Sequence, residues 1–196
     1  MKHGFSFDRA YYNRFYEDPK TRVASDADAA RLAHLLGAYL GYLQQPVRNV
    51  LDLGAGLGQM RAPLRREFPD ASYLGVERSQ YACERYDLQP GSVVDFKARG
   101  RFDLVICKGV LQYLDRGEAE RAIENMAALC RGCLYLEALT REDWEDACDR
   151  NRTDGKVYLR PASFYKKRLR KHWKSAGAGV FVHERSPVVL YSLEGT

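Results

Sequence analysis

A chain of 196 residues with 45% hydrophobic side chains is long enough to build one domain around a two-sided core. No apolar run approaches the ~20 residues that span a bilayer, so a membrane-spanning helix is excluded. The net charge of +5 is mildly basic and does not by itself announce a nucleic-acid partner.

Residues 1–45 read as a helical cap and residues 46–196 as the main domain. Phe5, Phe7, Tyr11, Tyr12, Phe15 and Tyr16 form an aromatic stretch that ends at Asp18-Pro19. Ser25-x-x-Asp28 then opens a helix with capping-box chemistry. Leu32, Leu35, Leu36, Tyr39, Leu40 and Leu43 follow at helical spacing and predict one buried stripe, stopped by Gln45-Pro46.

Beyond Pro46 strands and helices alternate. Strands are predicted at 49–53 and 72–76, at Ser92-Val93-Val94, at 103–107 and at Leu134-Tyr135-Leu136. Helices are predicted at about 58–67 and 79–86, and from Asp115-x-x-Glu118 to Cys130. Tyr165, Leu169 and Trp173 predict a last helix by their four-residue spacing. Residues 179–183 and 188–191, with Ser186-Pro187 between them, read as a closing hairpin. Alternating elements with fully apolar strands predict an α/β fold. It is a doubly wound, mostly parallel seven-stranded sheet with a C-terminal antiparallel hairpin strand and an N-terminal helical cap.

The most informative segment is Val50-Leu51-Asp52-Leu53-Gly54-Ala55-Gly56-Leu57-Gly58. A buried strand runs into glycines at alternate positions, where the backbone can take positive φ and let a ligand approach. Gln59 stands where the dinucleotide fingerprint needs its third glycine, which weakens a nicotinamide or flavin reading. Glu77, at the tip of the next strand, is spaced to accept hydrogen bonds from ribose hydroxyls. Together these residues resemble the class I S-adenosylmethionine-dependent methyltransferases, from about Val50 to Leu139 and more loosely to Leu193.

The resemblance implies a bound S-adenosylmethionine in a Rossmann-like fold. Asp52, Gly54, Gly56 and Gly58 would form the loop around its methionine and ribose parts, with Glu77 on the ribose. By position, Asp95 would receive the adenine amino group and Phe96 would pack on the ring. Lys108 and Gly109 would line the methionine end. In this family the segment before the first strand often covers the site, so Tyr11, Tyr12, Tyr16 and Arg22 are lid candidates, with Arg22 able to pair with the donor carboxylate. The alternative for the aromatics is a satellite core under the first helix. Tyr113, Glu137 and His183 are positional candidates for substrate contact or for a general base, and no catalytic residue is assigned.

Cys107-Lys108-Gly109-Val110 lacks the Asn/Asp-Pro-Pro-Tyr of amino-methyltransferases acting on adenine or glutamine. It also lacks the Pro-Cys nucleophile of cytosine C5 enzymes and the strand-end carboxylate of metal-dependent catechol-type enzymes. No metal is therefore expected. The five cysteines, an odd number without a framework, read as reduced thiols, and Cys130-x-x-Cys133 as a packing pair. With no apolar signal region behind Met1-Lys2-His3-Gly4-Phe5, the expected location is the cytoplasm.

The segment 139–163 holds Trp144, Glu145, Asp149, Arg152 and Arg160, where these enzymes commonly build acceptor pockets. Glu142 to Asp154 carries six acids against two arginines, which would suit an amine. Lys156 to Lys174 carries eight Lys or Arg and no acid, which would suit an anion or a solvated face. The expected function is methyl transfer to a small-molecule acceptor by in-line displacement. An RNA-directed methyltransferase and a non-catalytic S-adenosylmethionine-binding protein are the alternatives. Nothing in the sequence reports the oligomeric state.

Overall fold

The computed structural model describes residues 7–191, so Phe5 and Leu193 lie outside the described residues. The cap begins with a four-residue helix, α1 (Arg9–Tyr12), whose N-terminus is held by the Asp8 carboxylate accepting from Tyr11 N at 3.0 Å. It widens into one π-helical turn, Asn13–Glu17, closed by Asp18 N donating to Asn13 O at 2.8 Å.

Helix α2 (Asp26–Tyr42) starts on the expected capping box. Ser25 Oγ accepts from Asp28 N, and Asp28 Oδ2 accepts from Ser25 N at 2.8 Å. Its buried face carries Ala29, Ala33, Leu36 and Leu40, while Leu35 is 44% exposed. The stripe is thus rotated toward the small alanines, which let the helix approach the sheet more closely than a leucine row would.

Strands β1 (Asn49–Leu53), β2 (Ser72–Glu77), β3 (Gln89–Pro90), β4 (Phe102–Lys108), β5 (Cys130–Glu137), β6 (Trp173–Gly177) and β7 (Val180–His183) form one sheet in the order 3-2-1-4-5-7-6. The first five pair in parallel, and β7 runs antiparallel to both β5 and β6. Chain order reverses between β1 and β4, so the crevice at their carboxyl ends is the topological switch point.

Alternate residues of the central strands feed two cores. Leu51, Leu53, Val105, Cys107, Leu134 and Leu136 face α5 (Arg116–Leu129) and α7 (Ala162–Leu169). Val50, Leu104, Ile106, Cys133 and Tyr135 face α2 and α3 (Arg61–Glu67). Helix α4 (Gln80–Tyr86) follows β2, and α6 (Arg141–Asp146) follows β5. No helix among the described residues is long and apolar enough to cross a membrane.

Four elements differ from expectation. Ser92-Val93-Val94 is a turn; Val93 is buried by packing on the core, and the third strand is the edge pair Gln89–Pro90, where proline is tolerated. Cys130 leaves the helix and begins β5. The last helix stops at Leu169, and Trp173 opens β6. The closing hairpin is therefore β6–β7. Its turn is Gly177-Ala178-Gly179, all three at positive φ. Residues 188–191 are not a strand; Val188 packs beside α2 without pairing. Either geometry buries Trp173, which is why helical spacing misassigned it.

Candidate active site

The loop after β1 turns back onto β2. Gly54 N and Ala55 N both donate to Val76 O, at 2.8 and 3.0 Å. Gly54 sits at φ +79°, and a Cβ there would fall 2.2 Å from Val110 Cγ2, so no other residue fits. Gly56 sits at φ +58°, and a Cβ there would come into ordinary contact with Tyr16 Cε1 at 3.9 Å.

Glu77, only 6% exposed, organises this loop. Its Oε2 accepts from Gly56 N at 2.8 Å, and its Oε1 accepts from Arg78 N and Ser79 N at 2.7 and 2.9 Å. The carboxylate thus ties the glycine turn to the start of α4. It also lines the narrow end of the crevice with Ser92 and Val93, about 70 Å³ in volume.

Asp52 closes the β1 end and accepts from the Tyr73 hydroxyl at 2.7 Å. Burial, with the nearby Glu77 charge adding, pushes its carboxyl up to about 6; the Tyr73 hydrogen bond and Lys108 partly offset this. Lys108, at the end of β4, pairs with Glu137 Oε1 at 3.2 Å. Gly109 N donates to Glu137 O at 2.8 Å, with Gly109 at φ +68°.

The cap lies over this crevice. The Tyr11 and Tyr113 hydroxyls are 2.9 Å apart, and Phe7 meets both rings edge-on at 5.0 and 5.2 Å. Tyr12 is 2% exposed, stacks on Tyr81 at 6.0 Å and faces Glu77 and Ser79. Tyr16 lines both ends of the crevice. Burial raises the hydroxyls of Tyr11, Tyr12, Tyr16 and Tyr113 well above the phenol range, so all four stay protonated at neutral pH.

From the glycine loop the crevice widens to a cavity of about 410 Å³, within the usual range for a small-molecule site. Its far wall comes from Gln112, Tyr113, Glu137, Leu139, Asp143, Cys148 and Asp154.

Several expected residues are not brought to this crevice. Asp95 is exposed and Phe96 packs on Gly91 and the core; neither lines the cavity. Asn125 Nδ2 donates to Val93 O and Phe96 O, at 3.1 and 3.0 Å, and fixes that turn. Gly58 and Arg22 line a separate outer groove beside Gln59 and Arg66. His183 is buried in β7 against Trp173, away from the site. Of the acceptor segment, Trp144, Glu145, Asp149, Arg152 and Arg160 do not line the cavity. Arg160 is a brace, donating to Leu111 O, Leu114 O and the Tyr165 hydroxyl. Gln112 was missed; its only sequence signal is its place shortly after the β4 end.

A methyltransferase domain model matches residues 51–132, from within β1 to the first residues of β5. The chain carries a class I S-adenosylmethionine-dependent methyltransferase domain. It is 28% identical over 164 residues to a malonyl-[acyl-carrier protein] O-methyltransferase of Magnetococcus marinus, a match covering 75% of this chain and 58% of that relative's length. The sugar N-methyltransferase KedS8 from a Streptoalloteichus species superposes with TM-score 0.65 at 19% identity, over 92% of each chain. The magnesium protoporphyrin IX methyltransferase of Synechocystis with bound S-adenosylmethionine superposes with TM-score 0.59 at 18% identity, over 90% of this chain and 92% of that one.

The methyltransferase crevice fits such a donor on its own terms. The glycine turn runs beside it with Gly54 and Gly56 at positive φ, and the Asp52 and Glu77 carboxylates line its two ends. The buried thiols are poor nucleophiles: burial pushes Cys130 and Cys133 up to about 12, and Cys107 above that range.

Proposed function

We propose that this methyltransferase transfers a methyl group from S-adenosylmethionine to a small-molecule acceptor by in-line displacement. The observation that carries the reading is the continuity of the crevice. One cavity runs from the glycine loop and Asp52, beneath Tyr11 and Tyr16, to the wall of Gln112, Tyr113 and Asp154. Donor and acceptor can therefore meet inside a covered space, where a fixed near-attack geometry is worth ~7–11 kcal/mol.

When bound, the donor supplies a methyl group on a sulfonium that leaves as a neutral thioether, so no general acid is needed. The residues of the chain do the rest. Glu77 holds the glycine turn in shape and keeps one lone pair, on Oε2, for a ribose hydroxyl. Asp52 faces the cationic end of the donor, and Lys108 with Gly109 shapes the floor. Tyr11, Tyr12 and Tyr16 exclude water, and protonated Tyr113 offers the acceptor a hydroxyl rather than a base. Asp95, Phe96, Gly58 and Arg22 have no part in this reading; Ser92 and Val93 take the adenine end.

Calorimetry with S-adenosylmethionine and its demethylated product, then a methyl-transfer screen over amines, thiols, carboxylates and RNA, tests the proposal. Micromolar binding of both nucleosides with turnover on a small acceptor is expected. Absence of binding, or turnover on RNA alone, refutes it.

One observation favours an RNA-directed reading. A groove of about 1100 Å³ is lined by seven cations, including Arg141, Lys166, Lys167 and Arg170, and by no acid. Its aromatic rings argue the other way. Guanidinium groups of Arg168 and Arg160 lie over Phe164 at 3.6 and 5.3 Å, and Arg160 also lies over Tyr158. Covered rings offer no platform for the stacked bases that single-stranded RNA recognition uses.

A further inference from the structure

We infer that Arg160 is a positioning residue of the donor site. From outside the crevice it sets where Tyr113 stands, and through the Tyr113–Tyr11 hydroxyl pair it holds the cap down over the glycine loop. The inference rests on the reading above that the covered crevice holds S-adenosylmethionine.

The link starts at the 3₁₀ turn Leu111–Tyr113, which follows β4 and has no side-chain cap at its start. Two bonds of its own hold it, Tyr113 N donating to Val110 O at 3.0 Å and Leu114 N donating to Leu111 O at 3.3 Å. A turn this short has poor hydrogen-bond geometry, so its position must be fixed from outside. Residues 158–160 do this. Tyr158 N donates to Gln112 O at 2.8 Å, Arg160 Nη1 donates to Leu111 O at 3.1 Å, and Arg160 Nη2 donates to Leu114 O. The base of this clamp is itself tied down. Arg141 N donates to Arg160 O at 2.9 Å, beside the parallel bridge between Thr140 and Arg160.

Arginine is the side chain that this clamp needs. It is 8% exposed, and its hydrogen bonds go to backbone carbonyls and to the Tyr165 hydroxyl. Its rigid fork reaches the carbonyls on either side of Gln112 and Tyr113 at once, which the point charge of a lysine cannot do. The guanidinium also lies over the Phe164 and Tyr158 rings, at 5.3 and 5.5 Å, which offsets part of the cost of burying the charge.

The turn carries Tyr113 into the site. Leu111 and Leu114 are buried in the core, while Tyr113 between them lines both the narrow and the wide parts of the crevice. Its hydroxyl stands 2.9 Å from that of Tyr11, and its ring meets Phe7 edge-on. Tyr12 and Tyr16, which face Glu77 and Gly56, follow Tyr11 on the same run of helix. A hydrogen bond of this kind is lost by about 3.6 Å, so a shift of about 0.7 Å in the turn releases the cap at this point. A side chain that never enters the cavity therefore governs how firmly it is covered.

The test is a double-mutant cycle in the full chain: Arg160→Lys, Tyr113→Phe and both together. Tyr165→Phe is the control, because it removes a bond of Arg160 that does not reach the turn. Trypsin cutting after Arg14, an exposed site within the cap, is followed by mass spectrometry in the chain without nucleoside. The release rate of the demethylated cofactor is followed by stopped flow, once calorimetry has measured its binding to the parent. Arg160→Lys and Tyr113→Phe are each expected to speed cutting and release by about threefold to tenfold, the worth of one hydrogen bond. The double variant should match the single ones within about twofold, because both remove the same latch. The melting temperature should drop with Arg160→Lys in either background, and Tyr165→Phe should leave cutting and release at the parent's values. Arg160→Gln replaces the lysine variant if that chain does not fold. A parent that binds no nucleoside fails the methyltransferase reading, and the cutting assay still judges the clamp. Cutting and release unchanged by Arg160→Lys, effects that multiply in the double variant, or failure of both Arg160 variants to fold overturns the inference.

Discussion

Truncating Glu77 to alanine should damage both the fold and the donor site, and the two losses can be separated. The carboxylate accepts three buried backbone N–H groups, from Gly56, Arg78 and Ser79. Each donor left without a partner costs ~1–3 kcal/mol. Water reaches the site through the adjoining crevice, so the lower end applies, for a total of about 3 kcal/mol. For a chain of this size each kcal/mol moves the melting temperature by about 2–4 °C, giving a drop of about 6–12 °C. Glu77→Gln keeps an oxygen for two of the three bonds but turns an amide N–H toward the third donor, so its melting temperature should fall much less. If the carboxylate also takes a ribose hydroxyl, both variants lose ~1.5–3 kcal/mol of donor affinity, at least tenfold. Scanning calorimetry gives the melting temperatures, and titration with the demethylated cofactor gives the affinity. An alanine variant that melts within about 2 °C of the parent and binds the nucleoside equally well would refute the reasoning; loss of stability alone would confine Glu77 to the loop clamp.

Asp52→Asn tests the raised carboxyl. Its folded pKa of about 6 lies above the ordinary value of 3.8, so folding takes up a proton between them. Its contribution should fall as pH rises from about 4 to about 6 and stay flat above, by about 2–3 kcal/mol in all. The difference in denaturant stability between parent and variant, measured from pH 4 to 7.5, should trace that curve, and a pH-independent difference counts against it. Deleting residues 1–18 removes buried Tyr12 and Phe15 with the rest of the aromatic cap, so the melting temperature should drop while far-ultraviolet circular dichroism keeps its α/β shape. Donor affinity and turnover should both fall; full turnover in a folded truncation would show that the segment neither covers the donor nor excludes water. Neutralising Lys166, Lys167, Arg170 and Lys171 together should leave methyl transfer to the small acceptor nearly intact while weakening non-specific RNA binding, whose salt dependence should flatten; lost activity with intact donor binding would bring the RNA reading forward.

The amino-acid sequence determined by itself whatever depends on local chemistry. Apolar runs such as Leu104 to Cys107 need cover on both faces, which makes the sheet parallel and doubly wound. The alternate glycines after Asp52 need positive φ, which marks the ligand end of β1. Ser25 with Asp28, and Asp115 with Glu118, start their helices where the capping boxes require. Only the tertiary structure decided what depends on which surfaces meet. Asp95 and Phe96 have the expected spacing, but Asn125 reaches across from α5 and holds their turn so that Ser92 and Val93 face the crevice instead. Trp173 satisfies a helical period and a strand period alike, and the positive-φ turn at Gly177 to Gly179 resolves it as a strand by pairing it with β7. The far wall unites Gln112, Glu137, Asp143 and Asp154 from separate elements and loops. No period or motif links them, because their proximity arises from strand order and not from spacing along the chain.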